Sequence, residues 1–126
     1  MIAVDTSSWI AFFENAGGAD TLLVGRALTD NQACMPPVVL TELLSDPRLP
    51  SRLELLISQL PVLDILSGYW QRAGMLRAKV IRLKRRAPLA DALIAQSCLD
   101  HDVALVTRDS DYRSFARVAG LRIVAA

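Results

Sequence analysis

Residues 103–111 have the sequence VALVTRDSD, in which four apolar residues precede a polar turn. A short apolar run of this kind is typical of a strand that is buried on both faces, as in a parallel sheet. Residues 2–8, IAVDTSS, repeat the arrangement, with an apolar run followed by side chains that often cap helices. Between these two segments, short apolar runs alternate with helical patterns. This alternation predicts an α/β domain with a parallel sheet.

The predicted sheet is central, has four to five parallel strands and is flanked by helices. Strands are expected at residues 2–4, 33–35, 62–66, 103–106 and 121–124. Helices are expected at residues 9–14, 21–28, 38–44, 52–60, 69–83 and 89–99, with a short one that ends at residue 119. The helix at residues 69–83 is expected to bury one stripe, formed by Tyr69, Ala73, Leu76, Val80 and Leu83.

Length and composition indicate a single folded domain without a membrane-spanning segment. The 126 residues, of which 52% are hydrophobic, suffice for one domain over residues 1–126 and exclude a disordered chain. The longest apolar runs have only about five residues, so no membrane span is expected. The N-terminal residues carry no export signal. Cys34 and Cys98 form no CxxC pair, which favours reduced thiols and a cytoplasmic location.

The basic residues are unevenly placed, although the net charge is only +1. Residues 65–90 contain no acid and hold half of the 14 lysines and arginines. This distribution predicts a positive surface along and just beyond the helix at residues 69–83. The alternative interpretation is an ordinary solvated helix face.

Four carboxylates occupy apolar or strand-end positions, where an ionised group is costly without a cation. Asp5 and Asp109 follow predicted strands, at the edge where open parallel sheets bind ligands. Asp91 and Glu42 interrupt apolar helices. Each acid also has a simpler interpretation. Asp5 and Asp109 would be N-caps, and Asp91 and Glu42 would be acids in the first turn of a helix. A single divalent metal site accounts for all four, because Mg²⁺ prefers oxygen ligands.

Several other kinds of site are disfavoured, because the sequence lacks residues that they require. His101 is the only histidine, no Cys/His zinc set exists, and no glycine-rich phosphate loop is present. A receiver domain would need a lysine at a late strand end, whereas Lys79 and Lys84 lie in the basic segment. A haloacid-type phosphatase would need an aspartate where Ser7 stands. Metal-bound carboxylates activate water and offset charge at phosphates, and a basic segment suits a polyanionic backbone.

Four segments of the sequence resemble the PIN-domain family: VDTSSW at residues 4–9, VVLTELL at 38–44, ADALIA at 90–95 and LVTRDSDY at 105–112. Their acids are separated by 37, 49 and 18 residues, and their order is most similar to the VapC-type toxins of bacterial toxin–antitoxin pairs. The resemblance covers essentially the whole chain. It implies a Mg²⁺- or Mn²⁺-dependent endoribonuclease that acts on RNA phosphodiester bonds, a cognate antitoxin that masks the site, and a homodimer.

The resemblance also implies roles for individual residues. The family's acidic quartet corresponds to Asp5, Glu42, Asp91 and Asp109, with Asp5 and Asp91 as the principal metal ligands. Auxiliary roles are expected for Thr6, Ser7 and Asp111. The basic side chains expected to bind RNA are Arg82, Arg85, Arg86 and Arg108. The alternative function is a catalytically silent PIN fold that binds RNA or a protein partner.

Overall fold

The sheet consists of four short parallel strands. In the computed structural model, which describes residues 1–125, the strands are β1 (Ile2–Val4), β2 (Ala33–Cys34), β3 (Ala104–Val106) and β4 (Ile123–Val124). Their order is β2-β1-β3-β4, so β1 and β3 form the central pair. Val4 is aligned with Val106 at the carboxyl ends of these two strands. The predicted α/β fold with a parallel sheet is therefore confirmed.

Seven α-helices and one 3-10 helix lie around the sheet within residues 1–125. They are α1 (Thr6–Phe13), α2 (Ala19–Thr29), α3 (Pro37–Leu44), α4 (Ser51–Ser58), α5 (Tyr69–Arg82), α6 (Leu89–Asp100), the 3-10 helix Ser110–Tyr112 and α7 (Arg113–Ala119). Helix α1 begins earlier than predicted, because the Asp5 carboxylate accepts a hydrogen bond from the Ser8 N–H and caps the helix. No helix in this part of the chain has the length and apolar character that crossing a membrane requires.

The strand predicted at residues 62–66 is wrong. The segment makes a single parallel bridge, between Val62 and Met35, and then leaves the sheet. The bridge is held by two backbone hydrogen bonds, from Met35 N to Pro61 O and from Leu63 N to Met35 O. Beyond it, Ile65 is 43% exposed, so this apolar run gains little burial from extending the sheet. The sheet therefore has the lower of the two predicted strand numbers.

The core lies between the sheet and its helices. Its largest buried side chains include those of Trp9, Tyr69, Tyr112 and Phe115. The predicted stripe on α5 is buried at Tyr69, Ala73, Leu76 and Val80, but Leu83 is 37% exposed because the helix ends one residue earlier. Burial of these aromatic and aliphatic side chains against the sheet supplies the main force that holds the layers together.

Two arginines of the basic segment connect α5 to α6 and to the segment that precedes α6. The Arg72 guanidinium donates from Nε and Nη2 to the two carboxylate oxygens of Asp100, at 3.0 and 2.6 Å. This pairing lowers the pKa of Asp100. Arg77 donates from Nε to the Ala87 carbonyl at 2.7 Å. These two side chains therefore have structural partners and do not contribute to a freely available positive surface.

Arg85 and Arg86 lie beyond the end of α5, as the predicted helix bounds of 69–83 imply. The helix ends at Arg82, and Lys84 has a φ of 57°, in the left-handed region that turns the chain out of the helix. Arg85 and Arg86 consequently lie in the connection between α5 and α6, just before Pro88 begins the next helix.

Candidate active site

The four predicted acids line one cavity at the carboxyl ends of the central strands. Asp5 directly follows β1, and Asp109 follows β3 after a short turn. Asp91 projects from the first turn of α6, and Glu42 from α3. The cavity has a volume of about 260 Å³ and is lined by Asp5, Thr6, Ser7, Ile10, Glu42, Asp91, Ile94, Asp109 and Tyr112. The topology thus brings together acids that are far apart along the chain.

Asp5 both caps a helix and faces the cavity. Its side chain is buried, and Oδ1 accepts hydrogen bonds from Ser7 Oγ at 2.8 Å and from Ser8 N at 3.0 Å. Oδ2 accepts from Thr107 Oγ1 at 2.7 Å. Burial raises the pKa of Asp5, and the hydrogen bonds from Thr107, Ser8 and Ser7 oppose that rise. The N-cap interpretation and the metal-ligand interpretation are therefore compatible.

Thr107 is a site residue that was not predicted from the sequence. It is fully buried, donates from Oγ1 to Asp5 Oδ2, and accepts at the same oxygen from the Asp109 N–H at 3.0 Å. One hydroxyl thus connects two acids of the quartet. The only signal in the sequence is a polar residue directly after an apolar strand; the alignment of Val4 with Val106 is what places Thr107 beside Asp5.

Asp91 has the least compensated carboxylate of the four. Its Oδ1 accepts a hydrogen bond from the Tyr112 hydroxyl at 3.3 Å, whereas Oδ2 is buried and has no hydrogen-bond partner. Burial, followed by the negative charge of Asp109, raises the pKa of Asp91 to about 6. Asp91 lies in the first turn of α6, as the simpler interpretation expects. A position there does not, however, supply a partner for Oδ2.

Glu42 and Asp109 are more exposed than Asp5. The setting of Glu42 was predicted to be apolar, but its side chain is exposed at the cavity mouth, where it accepts a hydrogen bond from Thr6 Oγ1 at 2.6 Å. It lies beyond the first turn of α3, which excludes the interpretation as a first-turn helix acid. Asp109 is half-buried and caps the 3-10 helix by accepting at Oδ1 from the Asp111 N–H.

The predicted auxiliary residues separate into two groups. Thr6 and Ser7 line the cavity and each donates to an acid of the quartet. Asp111 instead lies beside a second cavity, where its carboxylate is 3.9 Å from Arg86 Nη1. Its negative charge still contributes to the raised pKa of Asp91.

The arginines expected to bind RNA also occupy different environments. Arg85 and Arg86 line the second cavity, and Arg82 lines neither cavity. Arg108 donates from Nε and Nη2 to the buried carboxylate of Asp20, at 2.8 and 3.0 Å. This contact lowers the pKa of Asp20 and fixes the turn between β3 and the 3-10 helix. Arg108 therefore has a structural partner where the sequence predicted an RNA contact.

The quartet fits a divalent cation in its donor chemistry. Four carboxylates supply the oxygen ligands that Mg²⁺ and Mn²⁺ prefer, and the unpartnered Oδ2 of Asp91 is a buried acceptor that a cation would satisfy. Within residues 1–125, no three acidic, cysteine or histidine side chains already stand close enough together to hold a metal ion. Repulsion between like charges, visible in the effect of Asp109 on the pKa of Asp91, opposes such an approach.

Comparison with known proteins is consistent with this geometry. A family model described as "PIN domain" matches residues 2–121. The chain is 32% identical over 134 aligned positions to a VapC ribonuclease of Mycobacterium bovis, with 97% of this chain and 96% of that protein covered. It has the same identity and coverage with the ribonuclease VapC11 of Mycobacterium tuberculosis.

Solved structures show the same fold at lower sequence identity. The chain is similar to a chain in VapBC2 of Rickettsia felis bound to a DNA fragment from their promoter, with a TM-score of 0.74, 22% identity and 98% of each chain covered. It is also similar to a chain in DNA-bound VapBC of Salmonella typhimurium, with a TM-score of 0.72, 24% identity and the same coverage.

Proposed function

Because the chain belongs to the PIN-domain family, and its relatives include VapC ribonucleases, we propose that it is an endoribonuclease that hydrolyses RNA phosphodiester bonds, acting as the toxin of a type II toxin–antitoxin pair. The reaction depends on Mg²⁺ or Mn²⁺ held by Asp5, Glu42, Asp91 and Asp109, with Asp5 and Asp91 as the principal ligands. When bound, such a cation lowers the pKa of water and offsets the charge on phosphate oxygens.

The observation that carries this proposal is the Asp91 carboxylate. An aspartate placed in an apolar helix, with one buried oxygen unpartnered and a raised pKa, is destabilising unless a cation joins it. Such arrangements are concentrated at functional sites. The cavity in front of it is lined by the other three acids.

The other groups of the site hold the acids in position, and one of the acids accepts the proton of the attacking water. Thr107, Ser7 and the Ser8 N–H hold Asp5 in one orientation. Thr6 holds Glu42 at the cavity mouth. Among the described residues 1–125 no histidine lines the cavity, so an ionised carboxylate of the quartet accepts the proton of the attacking water.

An antitoxin partner is supported by a groove beside the catalytic cavity. The groove has a volume of about 240 Å³ and includes the apolar side chains of Phe13, Leu43 and Leu53. It shares Ile10 and Glu42 with the catalytic cavity. A partner segment seated in this groove would therefore reach the mouth of the site and block access to it.

We further propose that the protein forms a homodimer and acts in the cytoplasm, where its buried, unpaired cysteines stay reduced.

The test is cleavage of single-stranded RNA by the purified protein with and without a divalent cation. We expect cleavage with Mg²⁺ or Mn²⁺, and none in excess EDTA or in Asp91→Asn. Asp30→Asn is the matched control, because Asp30 is an exposed acid outside the cavity. The cation should also raise the melting temperature, by binding the native state alone.

Two results would contradict the proposal. Undiminished cleavage in EDTA would exclude the metal-dependent mechanism. A protein that binds RNA in the presence of the cation but leaves it uncut would support the alternative, a catalytically silent PIN fold.

A further inference from the structure

The largest of the cavities described here lies outside the acidic quartet. Its volume is about 530 Å³, against about 260 Å³ for the catalytic cavity. One wall is the connection between α5 and α6, and the other is formed by the 3-10 helix and α7. The lining residues are Lys84, Arg85, Arg86, Ser110, Asp111, Arg113, Ser114 and Arg117.

The charge of this cavity, here called the basic cleft, is strongly positive in a protein whose net charge is only +1. Five of its lining residues are cationic and one is acidic. Among the described residues, the cleft has only one ion pair, the long contact of 3.9 Å between Arg86 and Asp111. Within residues 1–125, Lys84, Arg85, Arg113 and Arg117 make no ion pair and no side-chain hydrogen bond. By contrast, Arg72 and Arg108 are held by buried acids.

The basic cleft and the catalytic cavity share the 3-10 helix Ser110–Tyr112. Tyr112 lines the catalytic cavity, and its neighbours Ser110 and Asp111 line the basic cleft. Asp109, immediately before the helix, belongs to the quartet. A chain whose phosphate lies at the quartet would therefore meet the cleft after passing this single turn.

We propose that the basic cleft binds the backbone phosphates of single-stranded RNA that flank the phosphate at the quartet. Exposed arginines and a lysine on two facing walls attract phosphates, and several weak contacts along one polyanion add together. In the described part of the chain no aromatic side chain lines the cleft, so these residues offer no surface on which bases stack. The cleft therefore contributes affinity that does not depend on base sequence, and this role rests on the proposed ribonuclease function.

The experiment measures binding of a fluorescent single-stranded RNA decamer in EDTA, at several salt concentrations, so that cleavage does not intervene. Two double variants remove one wall each: Arg113→Ala with Arg117→Ala, and Arg85→Ala with Arg86→Ala. All four side chains are exposed, so these changes leave the core intact. The matched control is Arg26→Ala with Arg48→Ala, which removes the same charge outside both cavities.

We expect each wall variant to bind RNA roughly tenfold more weakly at low salt and to lower the salt slope by about 0.7 for each lost contact. The control should match the wild type. In Mg²⁺, the ratio of kcat/KM for the decamer to that for a dinucleotide should fall in both wall variants. Inorganic phosphate at the concentration of the RNA phosphates should not displace the decamer, because one phosphate makes only one of the contacts.

The outcomes separate this inference from the proposed function. If the wild type cuts RNA while both wall variants keep its affinity and salt slope, the cleft is an ordinary solvated surface and the inference is wrong. If the wall variants lose affinity but the wild type never cuts RNA, the cleft binds RNA and the ribonuclease proposal is wrong. Displacement by inorganic phosphate would make the cleft a site for single anions and overturn the inference.

Discussion

Thr107 connects two acids of the site through one buried hydroxyl, and Thr107→Val removes that hydroxyl at nearly constant volume. The variant leaves the Asp109 N–H without its acceptor and Asp5 without one donor. We expect a loss of about 1–3 kcal/mol in the free energy of unfolding. The affinity for Mn²⁺ should fall by about 10- to 100-fold, as is usual when a group that orients a ligand is removed. Thr107→Ser keeps the hydroxyl and should restore both, measured by urea unfolding and by calorimetry.

Asp91→Asn should change stability in a pH-dependent way when no metal is present. The pKa of Asp91 is about 6 in the folded protein, above its ordinary value of 3.8, so ionisation disfavours the folded state. Below pH 3.8 the carboxyl is protonated in both states and carries no penalty. The penalty grows as the pH rises from about 4 to 6 and is constant above that range.

The measurement is the melting temperature of Asp91→Asn and of the wild type across this range in EDTA. The variant should melt higher than the wild type at pH 7.5, and the difference should shrink towards zero near pH 4. If the difference in melting temperature were constant over the whole pH range, the charge of Asp91 would not be its cause.

The positions of the four acids could be predicted from sequence because their residue types stand out in apolar or strand-end segments. Their hydrogen-bond partners could not. Thr107 resembles any threonine at a strand end until the pairing of β1 with β3 places it beside Asp5. In the sequence, nothing distinguished Arg108 from the other arginines. Only the fold shows that it binds the buried carboxylate of Asp20.

At the level of elements, the start of α2 shows how a turn supports the site. Gly18 has a φ of 144°, and a Cβ there would lie 2.6 Å from Asp20 Oδ1 and 3.2 Å from Arg108 Nη2. Gly18→Ala should therefore strain the backbone and displace the Asp20–Arg108 pair, at a cost of about 1–3 kcal/mol in stability. Gly74→Ala is the contrasting change, because that exposed glycine inside α5 has open space around it.

Thermal unfolding of the two glycine variants tests this interpretation. Gly74→Ala should raise the stability by about 0.5–1 kcal/mol, because alanine favours the helix. Equal effects of the two changes would show that the conformation at Gly18 is not required.

A helix or strand could be predicted well where the apolar pattern agreed with a residue that marks the start of the element. The prediction was uncertain where only the apolar pattern was present. Helix α6 has a proline at its start and apolar residues throughout, and its predicted bounds differ from the structure by one residue. The strand predicted at residues 62–66 depended on their apolar character alone. That character does not distinguish a strand from a segment that touches the sheet once, as Val62 does at Met35.

At the level of the whole molecule, the proposed homodimer has a surface that can be tested. Trp70 is 62% exposed and Ile81 is 49% exposed, and both lie on one face of α5, three turns apart. Light scattering at tens of micromolar should give the mass of a dimer. Trp70→Glu should shift it towards the monomer, whereas Leu22→Glu, on the exposed face of α2, should not. A monomeric wild type would exclude the dimer.

The bond from Thr107 to Asp5 spans 102 residues of sequence, so this contact can form only late in synthesis of the chain. While the first hundred residues are being synthesised, β1 can pair with β2, but Asp5 lacks the adjacent β3 and the hydroxyl of Thr107. A chain interrupted anywhere before β3 therefore lacks both Thr107 and Asp109. The acidic quartet can therefore be complete only after nearly the whole chain has been synthesised.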